Sequence, residues 1–167
     1  MKKHYRLIYF LLVIVQVMLG NLLNLGPYII ISLLPLLILS IPIKHNDAAI
    51  MLVAFATAFT VDFFTHGILG LSVVALLPVA FLRRWIVVLV FGNEVYSRGE
   101  EISVKKQGLV KMILSLLIAT AIFFAIYVWV DAAGTRSFGF NLLRWFLSTL
   151  ISAPVQLLLS GLLDMGD

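Results

Sequence analysis

The sequence predicts an all-α integral membrane protein with six transmembrane helices and both termini in the cytoplasm, and three observations carry that prediction. Hydrophobic residues make up 62% of the chain and charged residues 12%, whereas soluble domains run near half apolar and about a quarter charged. No charged residue interrupts the run from Leu7 to Ile43. The twelve Lys and Arg residues divide ten to two once the spans are drawn. A chain of 167 residues has room for at most about six or seven spans of about 20 residues, and none for an additional catalytic domain of about 100 residues. The absence of cysteine removes disulfides, thiolate chemistry and Cys-ligated metals.

The run from Leu7 to Ile43, as one helix, would be about 55 Å long, nearly twice the hydrocarbon thickness of about 30 Å. It is therefore two spans, broken at Asn21-Leu-Leu-Asn-Leu-Gly-Pro27, where Asn, Gly and Pro supply turn chemistry and Pro27 suits a first helical turn. Span one is about 6–23 and span two about 27–43. The basic start and apolar run resemble a secretory signal, but no small-x-small cleavage site follows, so the segment is expected to stay as the first helix. The polar patch Lys44-His-Asn-Asp47 precedes span three, about 48–64. The turn Thr65-His66-Gly67 leads into span four, about 68–82.

Arg83-Arg84 is expected to mark a membrane boundary, because two guanidiniums in hydrocarbon would cost several kcal/mol. The apolar stretch Ile86 to Phe91 is too short to span and is expected to lie in the membrane plane, within a cytoplasmic loop over 83–111. Span five is about 112–130 and span six about 143–163. With six spans, ten basic residues lie on the side of the N-terminus and only Arg136 and Arg144 on the other, which puts both termini inside. Topology and anionic lipid headgroups then account for the net charge of +4, and no nucleic-acid partner is needed.

Asp62 is the only charged residue inside a proposed span rather than in a loop or at a span boundary, and such a residue is by default a candidate functional group. It sits about 6 Å from the outer end of span three by the helical rise, not at the midplane where transporter coupling sites lie. Ala54, Ala58, Asp62 and His66 are four apart and form one stripe, whose small residues suit close helix approach. The preferred reading is that Asp62 caps or hydrogen-bonds the turn at His66-Gly67; contact with a partner helix and a proton or ligand role are the alternatives. Gly67 and Gly70 suit the tight turn, and Gln16 reads as interhelical glue. No intramembrane His cluster, GxSxG, HExxH or phosphate-cradling loop is present. Neither catalysis nor a metal or cofactor is expected.

A basic N-terminus, two apolar helices, a third ending in Thr60-Val-Asp62-Phe-Phe with Gly67 and Gly70 after it, and a fourth ending in Phe81-Leu-Arg83 before a polar loop resemble the rod-shape-determining protein MreD family. The likeness covers nearly the whole chain in length and topology, and its specific part is about 54–83. Arg84 stands where such proteins often carry a proline. The resemblance implies a non-enzymatic subunit of the cell-elongation machinery in the bacterial inner membrane. It implies MreC as the direct partner, with RodA, a class B penicillin-binding protein and MreB in the same assembly. It also implies a fold like that of the substrate-binding S components of energy-coupling-factor transporters. An S-component-like vitamin transporter subunit is thus the alternative function. That alternative expects more polar residues converging within the spans than Gln16, Asp62 and scattered Ser/Thr supply, and an Ala-x-x-x-Ala pattern that Leu7 to Leu19 lacks.

Overall fold

The computed structural model describes residues 3–22, 26–43, 45–65, 68–99, 102 and 104–164. Its regular elements, among these residues, are all helices: α1 (Lys3–Leu22), α2 (Leu34–Leu39), α3 (Asp47–Phe64), α4 (Leu71–Phe91), α5 (Asn93–Arg98), α6 (Val104–Gln107), α7 (Leu109–Ala132) and α8 (Phe138–Asp164). Four of them, α3, α4, α7 and the Phe138–Gly161 part of α8, are long and apolar enough to cross a membrane. The protein is therefore an all-α membrane-embedded bundle. A shorter apolar stretch, Arg6–Leu22, lies in α1. The most extensive helix contacts are those of α4 with α7, α7 with α8, and α3 with α4, so α4 and α7 form the trunk.

The structure departs from the sequence expectation in two places. Only Leu34–Leu39 of the expected 27–43 span is helical. Residues 26–33 run without regular structure into the bundle, and Ser32 to Leu39 are buried. Irregular backbone at membrane depth persists only where protein replaces the missing helical hydrogen bonds, and polar side chains of neighbouring helices do so here. Ser148 Oγ accepts from the Ile30 amide at 3.0 Å, and Ser152 Oγ accepts from the Ser32 amide at 3.3 Å while donating to the Ile30 carbonyl at 3.2 Å. Gln156 Nε2 donates to the Ser32 carbonyl at 2.7 Å, and its Oε1 accepts from Thr120 at 3.0 Å. From the other side Gln16 Oε1 accepts from the Leu33 amide at 2.6 Å. The depth follows from the helical rise: Ser152 lies about 21 Å along α8, near the middle of that helix.

The second departure is at α4, which does not stop at Leu82 but continues through Arg83 and Arg84 to Phe91. Residues 86–91 are thus the last turns of a 21-residue helix, not a separate in-plane segment. Successive helical residues point about 100° apart, so the two arginines need not share an environment. Arg83 turns inward and is 2% exposed; Arg84 turns outward and stacks over Tyr96 of α5 at 5.1 Å.

Weaker ties hold α1. Tyr9 and Thr57 hydroxyls meet at 2.9 Å, and Asn21 Nδ2 donates to the Phe64 carbonyl at 2.9 Å. Gly20 lets the two chains approach: a Cβ there would sit 2.8 Å from Thr65 Cγ2.

Gln156→Leu should destabilise the protein by about 1–3 kcal/mol, because it leaves the buried Ser32 carbonyl and Thr120 hydroxyl unpaired. Unfolding in a mixed-detergent titration measures this, with Leu158→Ala on the outer face of α8 as a control expected to shift little.

Candidate functional site

Of the residues singled out by sequence, Asp62 and Gly70 meet at one end of the bundle, where α3 hands over to α4, while Ala54 and Ala58 lie further back on α3 and Arg83 further along α4. Ala54 and Ala58 are fully buried and Asp62 is 6% exposed, so the stripe faces the interior, not lipid. His66 and Gly67 lie outside the described residues. Gly70 precedes α4 with φ of 89°, a left-handed conformation that glycine adopts freely and side-chain-bearing residues adopt at a cost of about 1–2 kcal/mol.

Asp62 Oδ2 accepts from the Gly70 amide at 2.9 Å and the Ser72 amide at 3.0 Å. These are among the amides that a helix start leaves without intrahelical partners. The helix dipole also places partial positive charge there. Asp62 therefore acts as an N-cap supplied from the preceding helix, eight residues back, and pins the α3–α4 hairpin. Its Oδ1 takes no hydrogen bond from any described residue.

Arg83 does the complementary work further along α4, near the middle of the helix and about 18 Å from Leu71 by the helical rise. Its guanidinium donates to the Leu39 carbonyl at 3.3 Å and to the Ile41 carbonyl. Those are carbonyls at the C-terminal end of α2, which have no helical amide to accept from. The sequence expectation puts both arginines at a membrane boundary; Arg83 is instead buried inside the protein, while Arg84 is exposed on the outer face of α4.

Beside the hairpin turn lies a cavity of about 410 Å³, walled by α1, the 26–34 segment, α3, α4 and α7. Its polar lining includes Gln16, Ser32, Asp62, Ser72 and Tyr127. The polar convergence that the sequence did not show is therefore present, assembled from five separate parts of the chain. Gln16 is fixed by its Oε1 on the Leu33 amide, which leaves its NH2 group without a partner among the described residues. The Tyr127 and Ser72 hydroxyls also make no hydrogen bond to a described residue. On the wall, Phe123 and Tyr127 stack with centroids 5.6 Å apart. Among the described residues no three His, Cys, Asp or Glu side chains gather as a metal site would require.

An ion pair that the sequence did not suggest joins α7 to α8: Arg144 donates to Asp131 Oδ2. Arg144 is also the first member of a polar stripe on α8 at four-residue spacing, followed by Ser148, Ser152, Gln156 and Ser160, all buried. That spacing was the available signal, in a segment otherwise read for its hydrophobicity alone.

Fold and site together define a membrane-embedded helical bundle with a pinned α3–α4 hairpin and a polar cavity beside it. No family model, curated protein or solved structure matches the chain.

Asp62→Ala should destabilise by about 1–3 kcal/mol through two uncapped amides, whereas Asp62→Asn keeps an accepting oxygen and should stay folded at normal abundance. Gly70→Ala should cost about 1–2 kcal/mol of backbone strain. Thermal unfolding of the three variants in detergent checks the order.

Proposed function

We propose that the chain is a non-enzymatic scaffold subunit of the bacterial cell-elongation machinery in the inner membrane, binding MreC and helping to organise peptidoglycan synthesis for cell-shape control. In this reading the chain crosses the membrane six times, through α1, the 26–43 segment, α3, α4, α7 and α8, with both termini cytoplasmic. The 26–43 segment supports that count: it starts at the cavity shared with Asp62 and ends at Ile41 beside Arg83.

The observation that carries the proposal is the employment of the residues on which the MreD resemblance rests. Asp62 caps α4, Gly70 makes the left-handed turn into it, and Arg83 holds the end of α2. All three work on architecture, as a scaffold requires. A partner face is available on α3, where Leu52, Phe55, Phe59 and Phe63 are exposed and the Phe55 and Phe59 rings stack at 5.9 Å. Their spacing of three and four puts them on one helix face, the arrangement by which a single apolar helix docks alongside another. MreC carries such a helix, and RodA, a class B penicillin-binding protein and MreB would join through the assembly.

A detergent pull-down with mass spectrometry should recover MreC-like and penicillin-binding partners from wild type, and Phe59→Ala with Phe63→Ala should reduce that recovery severalfold at equal expression. Recovery of an ATPase with a coupling subunit instead would overturn the scaffold in favour of a transporter. For the topology, a reporter inserted at Gly134 should read periplasmic and one after α8 cytoplasmic; the reverse pattern sinks the six-span orientation.

A further inference from the structure

We propose that the cavity beside the α3–α4 turn binds an organic ammonium, with Asp62 as its counter-charge. The site stands apart from the partner face on α3, so the proposal does not depend on the scaffold reading. Four observations select this chemistry. First, the cavity volume of about 410 Å³ lies within the range of small-molecule sites, about 300–1,000 Å³.

Second, the described lining of the cavity carries charge of one sign only. Asp62 lines it, and no Lys, Arg or His stands among its described lining residues. A helix start would by itself attract an anion, but here the Gly70 and Ser72 amides are already taken by Asp62 Oδ2. An incoming anion would therefore meet a carboxylate and no open amide pair, while a cation would meet a carboxylate whose Oδ1 takes no hydrogen bond from a described residue.

Third, the remaining unpartnered polar groups suit an ammonium with further hydrogen-bonding capacity. The Tyr127 and Ser72 hydroxyls can accept from N–H donors, and the Gln16 NH2 can donate to an acceptor elsewhere on the ligand. Fourth, the stacked pair Phe123 and Tyr127 forms part of the wall. Aromatic rings attract a cation within about 6 Å of their faces, more strongly where water is excluded. A carboxylate paired with aromatic walls binds ammonium groups in preference to neutral isosteres of the same shape.

An ammonium could reach the site as a free small amine or as the headgroup of phosphatidylethanolamine, and the experiment separates the two. Full-length protein in phosphatidylglycerol nanodiscs is titrated calorimetrically with phenethylammonium and, in parallel, with the neutral isostere 2-phenylethanol. The ammonium is expected to bind about ten- to a hundredfold more tightly, the size of a hydrogen bond to a charged group. Repeating the titration in phosphatidylethanolamine nanodiscs identifies the source. Weakened binding there, with phosphatidylethanolamine retained through delipidation in native mass spectra, assigns the headgroup. Unchanged binding assigns a free amine.

Asp62→Asn should abolish the preference for the ammonium over the alcohol. If that variant does not fold, Tyr127→Leu, which leaves the cap intact, should weaken ammonium binding severalfold. The proposal is overturned if wild type binds the alcohol as well as the ammonium and retains no phosphatidylethanolamine. It is overturned equally if a folded Asp62→Asn, or Tyr127→Leu in its place, keeps the wild-type preference.

Discussion

The structure depends on one constraint: the backbone of residues 26–33 enters the bundle without being helical, and every amide and carbonyl it buries needs a partner. In lipid each failure costs several kcal/mol, far more than the roughly 0.6 kcal/mol that an average interhelical hydrogen bond contributes. That ratio decides what the polar residues of α1 and α8 are for. Ser148, Ser152, Gln156 and Gln16 make the irregular segment possible at all, and their direct contribution to helix association is the smaller effect. Burial of Leu36 to Leu39 cannot substitute for them, because lipid tails are as apolar as the core and leaving them for protein gains little.

The same problem recurs wherever a helix stops inside the bundle, and it is solved the same way. The last carbonyls of α2 are met by Arg83 and the first amides of α4 by Asp62. In each case a side chain from another element with charge of the opposite sign to the helix end satisfies the unpaired groups, as the helix dipole favours. The start of α4 is thereby tied to α3 by Asp62, and the end of α2 to the middle of α4 by Arg83. The α7–α8 pair is tied separately, by Arg144 on Asp131 and by Trp145 Nε1 on the Ala121 carbonyl at 2.9 Å.

Much of the architecture was legible because hydrophobic length is legible. The spans over α3, α7 and α8 appear in the sequence as long apolar stretches bounded by polar residues, and the Ala54-Ala58-Asp62 stripe points inward as its spacing implies. The non-helical start of the second span was not legible: Tyr28-Ile-Ile-Ile-Ser-Leu-Leu is as apolar as any helix, and hydropathy reports burial, not conformation. The information lay elsewhere, in the polar residues that α8 carries every fourth position. Arg83-Arg84 misled for a related reason. The expense of placing guanidiniums in hydrocarbon was weighed for both together, but a helix separates adjacent side chains by about 100°, and one arginine can be satisfied by protein while the other faces out. The cavity could not be read at all, since its walls come from five separate stretches of chain.

The cavity and the irregular segment have a common origin. A continuous helix over 27–43 would have paired its own backbone and could have packed closely against α1, α3 and α7. A non-helical stretch fills less width than a helix about 10 Å across, and space remains between the elements at the end where it enters. Gln16 shows the connection in a single side chain: its oxygen is held by the Leu33 amide, and that fixed orientation leaves its NH2 group on the cavity wall. Ser32 likewise belongs to both, anchored by Ser152 and Gln156 and lining the cavity. The polar groups required to keep broken backbone in a membrane thus also make the space beside it polar. A ligand that contacted Gln16 would act on the segment itself, because one amide group serves both.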